Sequence, residues 1–414
     1  MNVRKLGAAL LAASVVFVVA GCGDDKKTGG TSNQPAASSL TIWVDDKRGP
    51  AMKTAAARFG QENGVTVKVE VVSKDLQTNF VTASQANKGP DLVLGAHDWI
   101  GNLVQNGSID PVQMTDQVKS LFNPIAIKGV TYNGQIYGVP LAVENVVLFR
   151  NTDLAPTAPS TIEEMVAAGK ALKASGKTSE IFALPVGQTG DPYHIYPLYT
   201  SAGGYLFGVG ANGDYDPKDL GVGKPGAVTA FEKIAALGEK GQGALKRSIT
   251  GDNLLSLFTT KKVAFMISGP WQLAELKKAS IKWDISPVPG FAGAQPAKPF
   301  VGVQALYVAT KGKNKAIAQE FATNFFPQTD VAVALYQADP RPPALLSALE
   351  QVQATEPNMA KVLDAGKGGD IMPAIPAMAT VWDPLGKAEA AIIGGAAVPS
   401  TVAAAAKNIQ SQIK

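Results

Sequence analysis

Three short stretches near the start of the chain decide the fold: "SLTIWVDD" (39–46), "VTVKVEVV" (65–72) and "PDLVLGA" (90–96). The first and third are apolar runs typical of buried strands, and in the second valine alternates with polar residues, as in a half-exposed strand. Between them, residues 51–61 and 80–87 carry apolar side chains at helical spacing. This alternation of strand and helix predicts a mostly parallel sheet with helices on its faces.

The carboxyl ends of the first and third strands are candidate binding loops, because parallel sheets bind ligands beyond that edge. Residues 45–48 follow the first strand and residues 96–99 follow the third. Each loop combines an acidic side chain with an aromatic or basic one. We therefore expect polar and aromatic groups to meet at this edge.

The middle of the chain predicts a second α/β lobe. Asn133-Gly134 lies between β-forming residues and predicts a hairpin. Ser160 and Glu163 are spaced as a capping box for a helix. A strand at 181–187, an aromatic loop at 191–199, a helix at 227–237 and the strand "KKVAFMISGPW" (261–271) follow, and 139–147 is expected to cross between the lobes. The strand "FVGVQALYVAT" (300–310), a helix at 314–325 and an Ala-rich helical final third complete the pattern.

Composition sets outer limits on function. The chain has 414 residues, 46% hydrophobic and 17% charged, which is ordinary for a soluble globular body with room for two or more domains. Its formal charge of +4 becomes +2 once Arg4 and Lys5 are removed with a signal peptide. A near-neutral surface gives no case for nucleic acid binding.

The N-terminus predicts secretion and anchoring. Arg4 and Lys5 precede a short apolar segment, and "VAGC", ending at Cys22, resembles the bacterial lipobox, in which the cysteine carries diacylglycerol. We expect residues 1–21 to be a lipoprotein signal peptide and 22–39 a flexible linker, because that segment is polar and Gly-rich. Cys22, the only cysteine, would then anchor an extracytoplasmic body to the cell membrane.

Few motifs for catalysis or metal binding occur. A single GxGxxG at 208–213 is followed by a proline-containing stretch without helical period, so a flexible loop is favoured over a dinucleotide site. Asp214, Asp216 and Asp219 hint at calcium, but Lys218 replaces an oxygen ligand. The only histidines are His97 and His194, which leaves little for a metal centre or a Ser-His hydrolase. We expect no metal and no cofactor.

Aromatic residues in predicted loops indicate a carbohydrate cleft. Flat rings pack against the apolar faces of sugars, while carboxylates accept hydrogen bonds from hydroxyl groups. For any one ring, packing in the core is the competing interpretation. The rings are Trp43, Trp99, Tyr193, Tyr196, Tyr199, Trp271 and Trp382.

Six stretches resemble the maltose and maltodextrin-binding proteins of bacterial ABC importers. They occur in the same order across nearly the whole chain from residue 40. The resemblance implies an α/β, two-lobe periplasmic-binding-protein-like fold with an interlobe ligand cleft and hinge crossovers near 142–146, 301–304 and 351. It places lobe I at 40–141 and 302–351, and lobe II at 142–301 and 352–414. The stretches are "GPDLVLGAHDW", "NGQIYGVPLAVEN", "DPYHIYPLYTSAGGYLF", "FMISGPW", "PFVGV" and "IMPAIPAM".

The resemblance also implies roles for individual residues. Asp98, Glu144 and Asp191 would accept hydrogen bonds from sugar hydroxyls. Tyr193, Trp271 and Trp382 would be stacking platforms, and Met372 would line the groove or fill a gap. An acid–lysine pair matches Asp46 and Lys47, although a shift of one residue would substitute Asp45 or Arg48.

Three departures from the family bear on specificity. Gly95 stands where the family has a tryptophan, Trp99 replaces a sugar-contacting arginine, and Gly386 replaces another arginine. Trp99 is therefore a new ring near the site. A longer or cyclic maltodextrin, or another α-glucoside such as trehalose, could fit better than maltose.

The preferred hypothesis is a lipid-anchored, monomeric, non-enzymatic receptor for a maltodextrin-type oligosaccharide. It would deliver the sugar to ABC permease subunits whose ATPase is a separate polypeptide, which fits the lack of a P-loop. An alternative is a secreted glycosidase that uses Glu144 with Asp98 or Asp191 as its carboxylate pair. A third is an adhesive lipoprotein without a small ligand.

Overall fold

The computed structural model of the protein describes residues 39–211 and 213–413. The predicted signal peptide, Cys22 and the linker before Ser39 lie outside the described residues. The first strand begins at Ser39, one residue before the predicted start of the body. No helix in the two described ranges is long and apolar enough to cross a membrane.

The strands of the described residues include the ones predicted at 39–46, 65–72, 90–96, 261–271 and 300–310. They are β1 Ser39–Val44, β2 Thr66–Val71, β3 Leu92–Ala96, β4 Ile109–Asp110, β5 Thr131–Tyr132, β6 Gln135–Ile136, β7 Gly138–Glu144, β8 Val147–Asn151, β9 Phe207–Val209, β10 Tyr215–Leu220, β11 Phe265–Ser268, β12 Trp283–Ser286, β13 Phe300–Ala309 and β14 Asp370–Ile371.

The α-helices lie between and beyond these strands, and the last part of the chain is mainly helical, as predicted. They are α1 Gly49–Asn63, α2 Leu76–Gln85, α3 Ile100–Gln105, α4 Asp116–Lys119, α5 Pro124–Gly129, α6 Ile162–Ala174, α7 Pro192–Ser201, α8 Pro225–Leu237, α9 Gly251–Thr259, α10 Leu273–Lys278, α11 Lys315–Glu320, α12 Thr329–Ala338, α13 Leu346–Thr355, α14 Asn358–Ala365, α15 Trp382–Ile393 and α16 Val398–Gln412.

Two main sheets organise the fold. The larger has the strand order β14-β13-β3-β1-β2, with β4 and β7 also paired to β13, and the smaller has the order β11-β8-β12. The α/β class with two sheets is therefore as predicted. The parallel arrangement predicted from the first three strands is confirmed, because β1 pairs in parallel with both β2 and β3. The larger sheet as a whole is mixed, since β13 runs antiparallel to β3, β4 and β7, and the smaller sheet is wholly antiparallel. Strand β13 enters from a distant part of the chain, so local alternation of strand and helix did not reveal its direction.

The two sheets are joined through β7 and β8, which are separated by only Asn145 and Val146. Strand β7 belongs to the larger sheet and β8 to the smaller one. The predicted crossing at 139–147 is thus a direct passage from sheet to sheet. The lobe boundaries given above stay a prediction, because the contacts group Ala37–Lys414 into one unit.

Separate apolar clusters surround the two sheets. Around the larger sheet, the Phe59 ring lies edge-on to Phe321 at 5.0 Å and to Phe325 at 5.2 Å. Each such pair contributes about 0.5–1.5 kcal/mol beyond the area it buries. Around the smaller sheet, Tyr196 stacks on Phe300 at 3.5 Å. Buried aromatic pairs therefore stabilise the packing around both sheets.

Some local predictions hold and others shift. Asn133 and Gly134 have φ of 48° and 75°, and Tyr132 pairs with Gln135, which confirms the hairpin. The helix cap moves by one residue: Thr161 accepts the amide of Glu164, and the Glu164 carboxylate accepts the Ser160 amide. Thr161 is the extended residue before the helix, so it caps instead of Ser160.

Three segments differ from the prediction. Residues 181–187 form only an isolated bridge between Ala183 and Met266, because Pro185 lacks the amide that a strand needs. Residues 192–199 belong to helix α7, which Asp191 caps and which begins with Pro192 at a position that requires no amide donor. Gly208 of the GxGxxG lies inside β9, whereas Gly210 and Gly213 lie in the connection between β9 and β10.

His97 ties the larger sheet to a distant loop. It is fully buried after β3, its Nδ1 accepts the Val303 amide at 3.0 Å, and its Nε2 lies 2.9 Å from the Met372 carbonyl. The Val303 contact requires an unprotonated Nδ1, so Nε2 carries the hydrogen and donates to Met372. Burial lowers the pKa of His97 from its usual 6.5 to about 4.

We predict that His97 makes stability depend on pH. Between about pH 6.5 and pH 4 the unfolded chain binds a proton at this site and the folded chain does not. The free energy of unfolding therefore falls as pH drops, by about 3 kcal/mol over that range. Because other groups also titrate in this range, the test is the difference between two proteins: on acidification, urea unfolding should show a more unfavourable change in stability for the wild type than for His97→Gln. Equal pH slopes in the two proteins would contradict the assignment.

Candidate functional site

A cleft of about 660 Å³ opens at the carboxyl ends of β1 and β3. The loops after these strands form one wall, and residues from β7, β13 and the segments that follow β11 and β14 complete it. Nine of the ten side chains proposed from the sequence line this single cleft. They are Asp46, Lys47, Asp98, Trp99, Glu144, Tyr193, Trp271, Met372 and Trp382.

Asp191, the tenth, is not part of the cleft lining. Its carboxylate caps helix α7, accepting the His194 amide at 3.1 Å and contacting the His194 ring nitrogen Nδ1 at 2.8 Å. Its own amide donates to the buried Glu389 at 3.0 Å. Burial, with the nearby Asp191 charge, raises the pKa of Glu389 well above its usual range. These contacts orient the first turn of α7, which carries Tyr193.

Two of the cleft rings lie directly on glycine backbone. A Cβ added at Gly95 would overlap the Trp99 ring, and one added at Gly269 would overlap the Trp271 ring. The replacement of the family's tryptophan by Gly95 thus has a geometric consequence. With glycine at 95, the Trp99 indole lies over that backbone and presents a ring to the cleft.

The remaining rings complete an aromatic surface. Tyr193 lies 6.1 Å from Trp271 between ring centroids, and its buried hydroxyl has no hydrogen-bond partner among the described residues. Trp382, the first residue of α15, donates its indole N–H to Asp98 at 3.3 Å. The other rings considered from the sequence lie elsewhere: Trp43 is on β1 and bonds Glu70, while Tyr196 and Tyr199 are buried on α7.

A chain of polar contacts that the sequence did not predict crosses the floor of the cleft. Arg48 donates to Asp45 at 2.6 Å and to the Gln304 side-chain oxygen at 3.0 Å. The Gln304 amide donates to Glu144 at 2.9 Å, and the second Glu144 oxygen accepts from Arg341. The sequence signal that was available for Arg341 is its pairing with Asp339 in the proline-rich stretch "DPRPP" (339–343), which directly follows helix α12.

These contacts separate the two alternatives for the first loop. Arg48 is buried and pairs with Asp45, whereas Asp46 and Lys47 are exposed to the cleft. Burial would raise the pKa of Asp45, but Arg48 outweighs it and holds that pKa below its usual value. Burial, with the nearby Arg341 charge, lowers the pKa of Lys47. The geometry therefore favours Asp46 and Lys47 as the pair available to a ligand.

Asp98 is the carboxylate with the most unusual titration in the cleft. Burial raises its pKa from 3.8 to about 7, although the Trp382 N–H acts in the opposite direction. The folded chain therefore binds more protons than the unfolded chain between about pH 4 and pH 7. Stability falls as pH rises across this range, the opposite sense to His97. Asp98 costs stability when ionised, as is common for groups at functional sites.

No group of three or more His, Cys, Asp or Glu side chains in the described ranges is arranged to hold a metal ion. The cleft instead offers aromatic faces, carboxylates and single cations. Such a lining suits a polar ligand with apolar ring faces.

An α/β chain whose two sheets are joined by crossover strands, with one concave site at their ends, is organised as a solute-binding protein. The model of the bacterial extracellular solute-binding protein family matches residues 54–361, and the chain belongs to that family. The resemblance to maltodextrin-binding proteins is confirmed at the level of the family.

Curated relatives cover nearly the whole chain. It is 30% identical to the galactooligosaccharide-binding protein of Bacillus subtilis (strain 168) over 99% of this chain and 98% of that protein. It is 29% identical to the maltodextrin-binding protein MdxE of the same organism, over 92% and 91% of the two chains. A maltooligosaccharide ABC transporter solute-binding lipoprotein of Streptococcus pneumoniae (strain ATCC BAA-334 / TIGR4) is 26% identical over 92% and 89%.

We predict that Asp98 titrates near neutrality and that Trp382 reports it. Intrinsic fluorescence measured from pH 5 to 9 should change with a midpoint near 7, because ionisation of Asp98 alters the partner of the indole N–H. Asp98→Asn should abolish this transition and should also raise the melting temperature at pH 8. Trp382→Phe is the second control, since it removes the reporter. A midpoint below about 5 would contradict the raised pKa.

Proposed function

We propose that this protein is the extracytoplasmic receptor of an ABC sugar importer and binds an oligosaccharide in the cleft. The observation that carries the proposal is the convergence of Trp99, Tyr193, Trp271 and Trp382 with Asp46 and Asp98 on one concave surface. Rings and carboxylates of this kind match the apolar faces and the hydroxyl groups of pyranoses. Relatives named for binding oligosaccharides give independent support.

A maltodextrin-type α-glucoside is the proposed ligand. Its support is the maltodextrin-binding relative and the order of the shared sequence stretches. A galacto-oligosaccharide is the second candidate, favoured by the 30% identity to a protein named for that sugar. The Trp99 ring lies over Gly95 and forms the cleft wall beside Asp98. We expect the shape of this wall to decide between the two candidate sugars.

We propose that the protein acts by binding and not by catalysis. A glycosidase needs one carboxyl group free to give a proton and a second free to attack or to activate water. Both oxygens of Glu144 already accept hydrogen bonds, from Gln304 and from Arg341. Asp191 is engaged in capping α7 and is not part of the cleft lining. The candidate pairs are therefore poorly disposed for hydrolysis.

The test is a titration of the protein with neutral oligosaccharides. Maltose, maltotriose, a cyclodextrin, trehalose and a galacto-oligosaccharide should be compared by calorimetry and by tryptophan fluorescence. We expect saturable binding for at least one of them, with about 2.7 kcal/mol of added stability at 100 times the dissociation constant. Chromatography of the sugar after incubation should show no shorter product.

Variants locate the binding. Trp271→Ala should weaken binding by removing a cleft ring, whereas Trp43→Phe should leave it unchanged because Trp43 bonds Glu70 away from the cleft. If no sugar in the panel changes fluorescence, heat or stability, the proposed function fails. Shorter products would favour the glycosidase instead.

We also propose that Cys22 carries the lipid anchor that brings the receptor to its permease. The support is the "VAGC" motif, together with a streptococcal relative named as a lipoprotein. A diacylated cysteine gives stable membrane attachment because two chains are buried. We further propose delivery of the sugar to permease subunits whose ATPase is a separate polypeptide, because the sequence contains no P-loop.

Cell fractionation tests the anchor. Cys22→Ala should move the protein from the membrane fraction to the soluble or secreted fraction. Sugar binding by the released protein should match that of the wild type, because the cleft is built from residues after 39. Retention of Cys22→Ala in the membrane fraction would contradict the anchor.

A further inference from the structure

Arg341 occupies an unusual position in the cleft. It follows helix α12, lines the cleft, and has only 15% of its side chain exposed. Its neighbours come from three different parts of the chain: Glu144 at the end of β7, Asp339 two residues earlier, and Trp271 after β11. No other cation in the described cleft lining contacts both a carboxylate and a ring that the sequence identified as a ligand contact.

The first consequence concerns Glu144. Its Oε1 accepts the Gln304 amide at 2.9 Å and its Oε2 accepts from the Arg341 Nε. With both oxygens engaged and the residue buried, the carboxylate has one orientation. Gln304 is itself held by Arg48 at 3.0 Å. Removal of Arg341 would release Glu144 on the side that faces the cleft.

The second consequence concerns Trp271. The central guanidinium carbon of Arg341 lies 5.5 Å from the centroid of the Trp271 ring, within the range of a cation–π contact. On its own segment the ring rests over Gly269, whose missing side chain leaves room for it. Arg341, which follows helix α12, thus adds a contact to a ring that lies in the segment directly after β11 of the smaller sheet.

Arginine suits this position better than lysine. Its planar guanidinium presents several N–H groups in fixed directions and a flat face at the same time. It can therefore donate to Glu144 and form an ion pair with Asp339 while its face lies against an indole. A lysine ammonium supplies the charge but neither the fork nor the flat face.

We propose that Arg341 is a positioning residue of the ligand cleft, fixing the Glu144 carboxylate and the Trp271 ring relative to each other. Its effect on ligand is exerted through those two groups. This rests on the proposed function only for the identity of the ligand, since the arrangement itself exists without one.

Two measurements test the proposal. In the absence of sugar, Arg341→Lys should change the part of the near-ultraviolet circular dichroism that Trp271→Phe removes, because the ring loses its guanidinium contact. In the presence of the tightest-binding sugar of the panel, Arg341→Lys should weaken binding about tenfold. Arg341→Met, which also removes the positive charge beside Glu144 and Asp339, should weaken it about thirtyfold or more.

Arg58 provides a matched control. Its guanidinium lies 4.6 Å from the Phe325 centroid and pairs with Asp330, but it is away from the cleft. Arg58→Lys should therefore leave the affinity within about twofold of wild type, although it removes the same kind of contact. A similar loss in both lysine variants would overturn a specific role for Arg341.

A double-mutant cycle keeps the proposal falsifiable if Arg341→Met folds poorly. The sugar affinities of Arg341→Gln, Glu144→Gln and the double variant should be compared at equal concentrations of folded protein. Positioning predicts that the double variant loses less affinity than the two single losses multiplied together, because part of the effect of Arg341 is exerted through Glu144. Losses that simply multiply would overturn the proposal.

The two proposals can fail separately. If the wild type binds none of the sugars, the proposed function fails, and the circular dichroism of the ligand-free proteins still tests Arg341. If the wild type binds sugar but Arg341→Lys keeps both its affinity and the Trp271 spectrum, the positioning role is wrong.

Discussion

The pairing of β13 with β7 is the constraint on which the site depends. Strand β13 is buried along its whole length and pairs with β3, β4, β7 and β14, so it fixes the registers of the larger sheet. Its Gly302 lies opposite Glu144, and its Gln304 points to the same side. Because side chains alternate along a strand, this register brings Glu144 and Gln304 together at the cleft floor. A shift of β13 by one residue would turn Gln304 to the opposite face and separate it from Glu144.

Glycine backbone supports the key side chains of the cleft. Trp99 lies on Gly95, Trp271 lies on Gly269, and a Cβ at Gly302 would come within 2.9 Å of the Glu144 side chain. In each case the missing side chain lets a large group lie against the main chain, which limits its freedom. The lining is therefore largely preformed, and a preformed site loses less entropy when a ligand binds.

The buried acidic residues of the cleft fall into two groups according to their partners. Asp45, Asp339 and Glu144 form ion pairs with arginines, which offset the cost of their burial. Asp98 accepts from the Trp382 N–H but forms no ion pair with an arginine or lysine among the described residues, and burial raises its pKa. The paired acids hold the floor in place, whereas Asp98 keeps hydrogen-bonding capacity for a ligand.

The sequence by itself determined the α/β class, the N-terminal series of strands and helices, the hairpin at Asn133-Gly134 and nine of the residues that share the cleft. These depend on local periodicity, turn chemistry or motif order, which a linear pattern contains. Only the tertiary structure decided the antiparallel direction of β13, the burial of Tyr196 and Tyr199, the capping role of Asp191 and the contacts of Arg341. Except for the local cap at Asp191, these features depend on groups far apart in the chain: Arg341 meets Glu144 across 197 residues and Arg48 meets Gln304 across 256. Such pairs are set by strand register and close packing, and no local pattern records them.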